Sequence, residues 1–234
     1  MELSKRLKAV AELVTPGMRL ADVGTDHGYI TIYLTEAGVI PSAIAMDINK
    51  GPLERAKEHI REHGLEGKIQ TRLSDGLKNL QMNEADCMIA AGMGGGLVIR
   101  ILFEERDTAG SLKELILQPQ SEIDSVRKYL TEEGYRIVAE DMVYEDGKYY
   151  PMMKAVPCMA GAGEIPYSEE ELEFGRVLLQ QAHPVLGQFL EREMEIQNRI
   201  LSALESQESV RAKKRMEEIS YRIEWIRGIL NTYY

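Results

Sequence analysis

Cysteine, tryptophan, phenylalanine and long apolar runs are all scarce in this chain of 234 residues. It has two cysteines, Cys87 and Cys158, one tryptophan and three phenylalanines. Two isolated thiols make neither a disulfide framework nor a cysteine metal cluster, so we expect a reducing, cytoplasmic setting and no bound metal. No run approaches the ~20 apolar residues that a membrane-spanning helix needs. The acidic start, with Glu2 and no apolar core segment, argues against a signal peptide.

Positive charge is also in the minority, because 28 lysines and arginines face 38 acidic residues, for a formal net charge of −10. This balance argues against a protein that coats nucleic acid in bulk, although it allows a local basic cluster. The length suffices for one α/β domain of about 150 residues with a smaller appendage. A hydrophobic content of 44% is ordinary for a chain with a real core.

The most informative motif of the chain lies at residues 20–30, which read LADVGTDHGYI. An apolar strand pattern runs into a turn containing Gly24, Asp26 and Gly28, and then into an apolar-periodic helix. Strand, glycine turn and helix form the first unit of a nucleotide-binding α/β domain. The dinucleotide fingerprint Gly-x-Gly-x-x-Gly is absent. The spacing Asp-x-Gly-x-Asp-x-Gly instead resembles the first motif of class I S-adenosylmethionine-dependent methyltransferases, with Asp26 where the second glycine usually stands.

Acids and glycines at and just beyond the carboxyl ends of the first three predicted strands suit such a cofactor. Gly24 would let it approach the backbone, and Asp22 would meet its ammonium group or orient the loop. Asp47, 23 residues after Gly24, can accept both ribose hydroxyls of an adenosine or can cap the next helix. The resemblance assigns an adenine contact to Asp75, although Asp-Gly is also an ordinary turn. The candidate cofactor-binding residues are Asp22, Gly24, Thr25, Asp47, Ile48, Asp75, Gly76 and Gly92.

Seven segments predict an α/β fold, a Rossmann-like doubly wound sheet with a terminal antiparallel hairpin. The predicted strands cover residues 19–23, 42–48, 68–73, 85–91, 112–117, 135–144 and 149–156. The turn EDGK at 145–148 closes the hairpin. The glycine cluster at 92–96 follows the fourth strand, and we interpret it as backbone approaching a ligand rather than as a packing need. The sequence QPQ at 118–120 falls on the same, substrate-binding side.

The rest of the chain predicts a helical domain over 161–234, joined to a catalytic domain over 1–160 by a linker at 160–166. Two apolar seams with steps of three and four residues predict an antiparallel coiled-coil hairpin with its turn at 206–209. Pro184 should interrupt the first arm, because proline removes a backbone donor.

Charge divides unevenly between these arms. Residues 164–205 hold nine acids and three bases, whereas 209–234 hold three acids and six bases, among them Lys213, Lys214 and Arg215. The basic arm would either dock a polyanion or neutralise the acidic arm across the hairpin.

Four features together look like the bacterial tRNA (adenine-22-N1)-methyltransferase family. They are the motif at 22–29, Gly-Met-Gly-Gly at 92–95, Gln-Pro-Gln at 118–120 and the C-terminal coiled coil, so the resemblance covers the whole chain. One departure is Gln120, where the family's turn is expected to end in asparagine, which puts a contact by that side chain in doubt. The resemblance implies a Rossmann-like domain that binds S-adenosylmethionine, a tRNA substrate, and methyl transfer to N1 of an adenine in the D-arm region.

Methylation at N1 would leave a cationic adenine, and the base must first leave its stack. A carboxylate could stabilise the cation or take a proton from the exocyclic amine, and Asp26 is our catalytic candidate. Asp26 could instead cap the following helix. The candidate substrate-binding residues are His27, Tyr29, Met93, Gly94, Gln118, Tyr149, Tyr150, Lys213, Lys214 and Arg215. The aromatic members could equally pack in the core or the hairpin.

The sequence is also compatible with two rival functions. A small-molecule methyltransferase would use the helical hairpin for dimerisation, and a non-catalytic RNA-binding protein would retain only the fold. The basic arm argues modestly against the first, and the pairing of Gly24 with Asp47 argues against the second. We expect tRNA as the partner, no membrane association and a monomer.

Overall fold

Seven strands form one sheet in the computed structural model, which describes residues 1–158, 166–205 and 209–234. The strands are β1 (Leu20–Val23), β2 (Ala43–Asp47), β3 (Ile69–Leu73), β4 (Cys87–Met93), β5 (Glu114–Pro119), β6 (Tyr135–Glu145) and β7 (Lys148–Pro157). Their order is β3-β2-β1-β4-β5-β7-β6. The first five run parallel, and β7 is antiparallel to both of its neighbours. The predicted Rossmann-like sheet and its terminal hairpin are confirmed.

Helices cover both faces of the sheet. They are α1 (Lys5–Glu12), α2 (Tyr29–Glu36), α3 (Lys50–Glu62), α4 (Gly95–Glu104), α5 (Arg106–Gly110) and α6 (Ile123–Glu132). Apolar residues of α1, α2 and α3 share one buried cluster, and those of α4, α5 and α6 share the other. Along β5, Ile116 belongs to the first cluster and Leu115 and Leu117 to the second, as the alternation of a strand requires. The short helix α5 was not predicted.

The position of β1 determines where a ligand can bind. From β1 the chain goes to β2 on one side, and it later returns to place β4 on the other side. The carboxyl end of β1 is therefore the topological switch point, at which open α/β sheets bind their ligands. The glycine loop 24–28 follows β1 directly and lies at this point.

Two local features fix the hairpin against the sheet. Asp146 (φ 48°) and Gly147 (φ 78°) make a two-residue turn with positive φ at both positions, as type I′ turns require. The side chains of Arg127 on α6 and Glu140 on β6 form a fully buried ion pair at 2.8 Å. Such a pair costs desolvation energy, and removing one partner would leave the other charge buried and unpaired.

The chain divides into two units, Met1–Tyr167 and Ser168–Tyr234. In the second unit a π-helical turn (Glu171–Gly175) precedes α7 (Arg176–Gln180), α8 (Pro184–Leu204) and α9 (Val210–Tyr233). The interruption expected at Pro184 is confirmed, because α8 begins there. Tyr234 donates to the carbonyl of His183 at 2.9 Å, so α8 and α9 run antiparallel.

The apolar seam of α9 largely matches the prediction. Its buried residues are Ala212, Ile219, Ile223, Ile226 and Ile229, which recur at steps of seven, four, three and three residues. Apart from Pro166 and Ser209, the predicted linker and the predicted turn at 206–209 lie outside the described residues. None of the described helices is long and apolar enough to cross a membrane.

Candidate active site

The loop between β1 and α2 is shaped by two glycines. Gly24 (φ 76°) and Gly28 (φ 70°) have left-handed backbones, which side chains disfavour. A Cβ on Gly24 would lie 2.9 Å from the Met93 methyl carbon, so the loop passes close to the end of β4. Gly28 is the N-cap of α2, and no side chain caps that helix. The alternative that Asp26 caps α2 is therefore wrong.

A cavity of about 230 Å³ opens beside this loop. Its wall includes Arg6, Asp22, Gly24, Thr25, Asp26, Tyr29 and Ala91. Five of the residues predicted from the motif are thus brought together. The Thr25 hydroxyl is buried and makes no hydrogen bond of normal geometry within residues 1–158. Buried polar atoms are nearly always hydrogen-bonded, so this one fits a site that receives a polar ligand.

Asp22 is the buried acid of the cavity. Burial raises the pKa of its carboxyl to about 6 against an opposing interaction with the Thr25 hydroxyl, and the negative charge of Asp47 adds to the rise. Desolvation disfavours an ionised carboxylate that has no cationic partner. A ligand ammonium group would supply that partner, which suits the role predicted for Asp22.

Asp47 lies at the end of β2, close to the same loop. The backbone N–H groups of Gly24 and Thr25 both donate to the carbonyl of Met46, at 2.8 and 2.9 Å. One Asp47 carboxylate oxygen accepts the N–H of Asn49 at 2.7 Å. Asn49 itself is the N-cap of α3 and makes no side-chain cap, so Asp47 orders the approach to α3 without being its cap. The following side chain, Ile48, is 59% exposed and offers an apolar surface beside the acid.

Asp75 is less free than the sequence suggested. Its carboxylate accepts hydrogen bonds from Lys78 at 2.6 Å and Arg100 at 3.2 Å. The hydrogen bond from Lys78 is the main reason why the pKa of Asp75 lies below its ordinary value. Gly76 has a packing role, because a Cβ there would lie 2.8 Å from the Ile101 side chain. The predicted adenine contact of Asp75 and the predicted cofactor contact of Gly76 stay predictions.

Asp26 belongs to a charged and aromatic group at the rim of the cavity. Its carboxylate accepts from Arg55 at 2.7 Å and lies 3.5 Å from the His27 ring nitrogen. The rings of His27, Tyr29 and His59 are nearly parallel, with centroids 5.0, 5.3 and 5.6 Å apart. These nearly equal separations describe a triangular group rather than a column. Neither Arg55 nor His59 was expected in the site.

The glycine cluster at the end of β4 serves two purposes. Gly92 (φ 80°) is exposed, and a Cβ there would lie 3.4 Å from the Arg6 guanidinium. Gly94 is the N-cap of α4. At Gly95, however, a Cβ would lie 2.4 Å from the carbonyl oxygen of Ser121, closer than any side chain can approach. The prediction that this cluster is not a packing need is therefore wrong for Gly95, because α4 packs directly on the backbone at Ser121.

At the end of β5, Gln118 is fully buried and accepts a hydrogen bond from Arg6 at 2.8 Å. The Arg6 guanidinium also lies 5.5 Å from the centroid of the Tyr150 ring. The structure therefore joins Gln118 and Tyr150 to the cavity through Arg6. Tyr149 is not part of this group, because its ring packs on Tyr144 across the hairpin at 4.6 Å.

The predicted basic residues of the second unit are solvent-exposed on α9. Arg215 pairs with Glu218 one turn later, at 3.0 Å. Lys213, Lys214 and Arg211 form no ion pair with any residue of 166–205 or 209–234. Across those ranges and 1–158, no three histidine, cysteine or acidic side chains are grouped as metal ligands would be.

Comparison with known proteins bears on the function of this site. A family model described as a methyltransferase domain matches residues 3–153. The tRNA (adenine(22)-N(1))-methyltransferase of Bacillus subtilis is 31% identical over 239 aligned positions, which cover 99% of this chain and 98% of that protein. The chain belongs to the tRNA (adenine(22)-N(1))-methyltransferase family. The resemblance noted from its motifs is confirmed.

Solved structures extend the similarity to both units. A candidate tRNA (m1A22) methyltransferase from Streptococcus pneumoniae superposes with a TM-score of 0.87 at 34% identity, covering 98% of this chain and all of that chain. The same protein in complex with S-adenosyl-L-methionine gives a TM-score of 0.85 at 33% identity, with the same coverage. The family's common domain spans the sheet and its glycine loop, whereas residues 168–234 are matched by its full-length members.

Proposed function

We propose that this protein transfers a methyl group from S-adenosylmethionine to ring N1 of adenine 22 in tRNA, in the cytoplasm. The observation that carries the proposal is the cavity at the switch point, which holds Gly24, Asp22 and Asp26 in a chain of this family. The fold fits nucleotide binding, and the two carboxylates suit a ligand and a product that are both cationic.

The residues of the loop fit the cofactor. Asp22 would meet the ammonium of its methionine part, and the Thr25 hydroxyl would gain a hydrogen-bond partner. The second Asp47 oxygen would accept the ribose hydroxyls, with Ile48 against the adenine. When bound, S-adenosylmethionine would supply an electrophilic methyl group.

Asp26 would act on the substrate. It lines the cavity, and its exposed carboxylate is oriented by Arg55 at 2.7 Å rather than by helix α2. Methylation at N1, in which the methyl carbon leaves the sulfonium sulfur and a neutral thioether remains, would make the adenine cationic, and the Asp26 anion would stabilise that charge or accept a proton from the exocyclic amine. Arg55 would keep the carboxylate in position without entering the reaction.

The ring group would hold the unstacked base. Tyr29 lines the cavity and is 38% exposed, and His27 and His59 support it with nearly parallel rings. Aromatic faces commonly receive flipped or single-stranded bases, and each such contact contributes about 1–3 kcal/mol.

The basic start of α9 would contact the tRNA backbone. Lys213 and Lys214 are exposed, and no ion pair within residues 166–205 or 209–234 occupies them. Unpaired lysines bind phosphates and release counterions, which makes such binding salt-dependent.

Methylation of unmodified bulk tRNA with labelled S-adenosylmethionine tests the reaction, with the product mapped by nucleoside analysis. We expect 1-methyladenosine at position 22 alone. Label in a metabolite extract but not in tRNA would favour a small-molecule methyltransferase. RNA binding without any transfer would favour a non-catalytic protein.

Asp26→Ala tests the carboxylate under saturating cofactor. We expect kcat for tRNA to fall by about 100-fold or more, the scale of one acid–base group. Cofactor affinity, measured separately, should stay within about threefold. A kcat within about threefold of the unsubstituted protein would show that Asp26 is not catalytic.

Charge reversal on α9 tests the RNA contact. Lys213→Glu with Lys214→Glu should raise KM for tRNA about tenfold. It should also reduce the steepness of the plot of log tRNA affinity against log salt concentration by about one per lysine. The matched control reverses Lys68 and Lys128, two exposed lysines of the first unit. Equal effects in both double variants would mean that only net charge matters.

A further inference from the structure

Arg6 lines the cavity, but the proposed methyl transfer gives its side chain no role. Helix α1 carries it, and its guanidinium reaches the carboxyl ends of β4 and β5. One Nη atom donates to the Gln118 side-chain oxygen at 2.8 Å, and the ring of Tyr150 lies 5.5 Å away. Arg6 also lines the cavity that contains Asp22. Its orientation is therefore determined by neutral neighbours.

Within residues 1–158, Arg6 forms no ion pair. The other charged groups of the cavity wall are Asp22 and Asp26, and the latter is paired with Arg55. A half-buried guanidinium without an anion is costly, and four of its five N–H donors remain available after the bond to Gln118. Its planar fork matches the geometry of a carboxylate.

We propose that Arg6 binds the α-carboxylate of the cofactor's methionine part. This inference rests on the cofactor assignment made above. An amino acid presents one cationic and one anionic group, and the cavity wall offers Asp22 for the first and Arg6 for the second. Gln118 and Tyr150 act as positioning residues that hold the guanidinium flat and oriented.

The start of α1 is itself fixed by the hairpin. The Glu145 carboxylate, at the end of β6, accepts the backbone N–H of Lys5 at 2.6 Å and of Arg6 at 3.3 Å. These are N–H groups of the first turn, which have no partner within the helix, and an anion there also complements the helix dipole. Glu145 therefore positions Arg6 from outside the cavity.

Binding of two ligands that differ by one carboxylate tests the proposal. Isothermal titration calorimetry would measure Kd for S-adenosylmethionine and for decarboxylated S-adenosylmethionine, which keeps the sulfonium, the amine and the adenosine. Arg6→Gln should weaken the first about 10- to 100-fold and change the second less than about twofold. Glu145→Gln should show the same selectivity at a smaller size, and the exposed Arg61→Gln should change neither.

Equal weakening of both ligands would overturn the proposal, because a general distortion of the cavity does not distinguish the carboxylate. Unchanged affinity for both ligands with weaker tRNA binding would also overturn it and would assign Arg6 to an RNA phosphate. Circular dichroism of each variant checks folding. If the unsubstituted protein methylates tRNA while Arg6→Gln shows no selective loss, this inference alone fails. If the unsubstituted protein binds neither ligand, the cofactor assignment fails as well.

Discussion

Replacing Asp22 by asparagine should stabilise the ligand-free protein while weakening its cofactor site. Burial raises the pKa of Asp22 from 3.8 to about 6, a shift of about 2 units that corresponds to about 3 kcal/mol against the ionised form. The folded state therefore binds the proton more tightly than the unfolded chain does. This group favours folding most below about pH 4, and its contribution is lost as the pH rises through 6.

The same linkage between proton binding and folding determines the direction of the stability change. At pH 7 asparagine removes a buried charge, so Asp22→Asn should raise the unfolding free energy by about 2–3 kcal/mol. The difference should shrink towards zero at pH 4, where wild-type Asp22 is protonated. Urea unfolding followed by circular dichroism at several pH values measures it. A variant that is less stable than wild type at pH 7, or a difference that does not change with pH, would refute the reasoning.

Cofactor binding should respond in the opposite direction. An ionised Asp22 is needed to meet an ammonium group, so wild-type affinity for S-adenosylmethionine should fall about tenfold per pH unit below 6. The Asp22→Asn protein should bind about 10- to 100-fold more weakly at pH 7.5, with a flatter pH profile. Affinity that is constant between pH 5 and 8 in the wild type would exclude this role. Stability gained together with function lost is typical of an active-site charge.

Three further substitutions test other parts of the structure. Gly24→Ala places a side chain at φ 76°, 2.9 Å from the Met93 methyl carbon, so cofactor affinity should fall about tenfold or more by calorimetry. Tyr29→Leu should raise KM for tRNA about 5- to 100-fold, whereas Tyr29→Phe should keep it near wild type, if the ring is what holds the base. Arg127→Ala should lower the free energy of unfolding, measured in urea, by about 3–5 kcal/mol because the buried Glu140 carboxylate loses its ion-pair partner. The double change Arg127→Met with Glu140→Leu should restore most of that loss.

Local chemistry made the cofactor loop predictable. Gly24 and Asp47 each follow a short apolar run, and the ends of neighbouring parallel strands must meet at one edge of the sheet. The hairpin was predictable for the same reason, because Asp146 and Gly147 suit a two-residue turn with positive φ. These features depend on residues within a few positions of one another.

Contacts between segments that are distant in the sequence could not be predicted from local patterns. Asp26 meets Arg55 29 positions later, and Asp75 meets Arg100 25 positions later, yet nothing local distinguishes those arginines from others on exposed helix faces. Gly95 is required by the backbone of Ser121, which only the packing of α4 brings near. Likewise, nothing in the local sequence distinguishes Arg6 from Lys5 and Lys8, the other basic residues near the start of α1.

The contacts of Arg6 give the terminal hairpin a part in the cofactor site. Glu145 and Tyr150 lie on the two strands of that hairpin, on either side of its turn, and both reach α1. Glu145 holds the backbone of α1, and Tyr150 lies against the side chain of Arg6, which lines the cavity. A displacement of the hairpin would therefore move the guanidinium relative to Asp22, which is fixed on β1. A change at the turn, such as Gly147→Val, which strains φ 78° far from any cofactor atom, should thus weaken S-adenosylmethionine more than its decarboxylated analogue. If it weakens both ligands equally or neither, the hairpin does not control the position of Arg6.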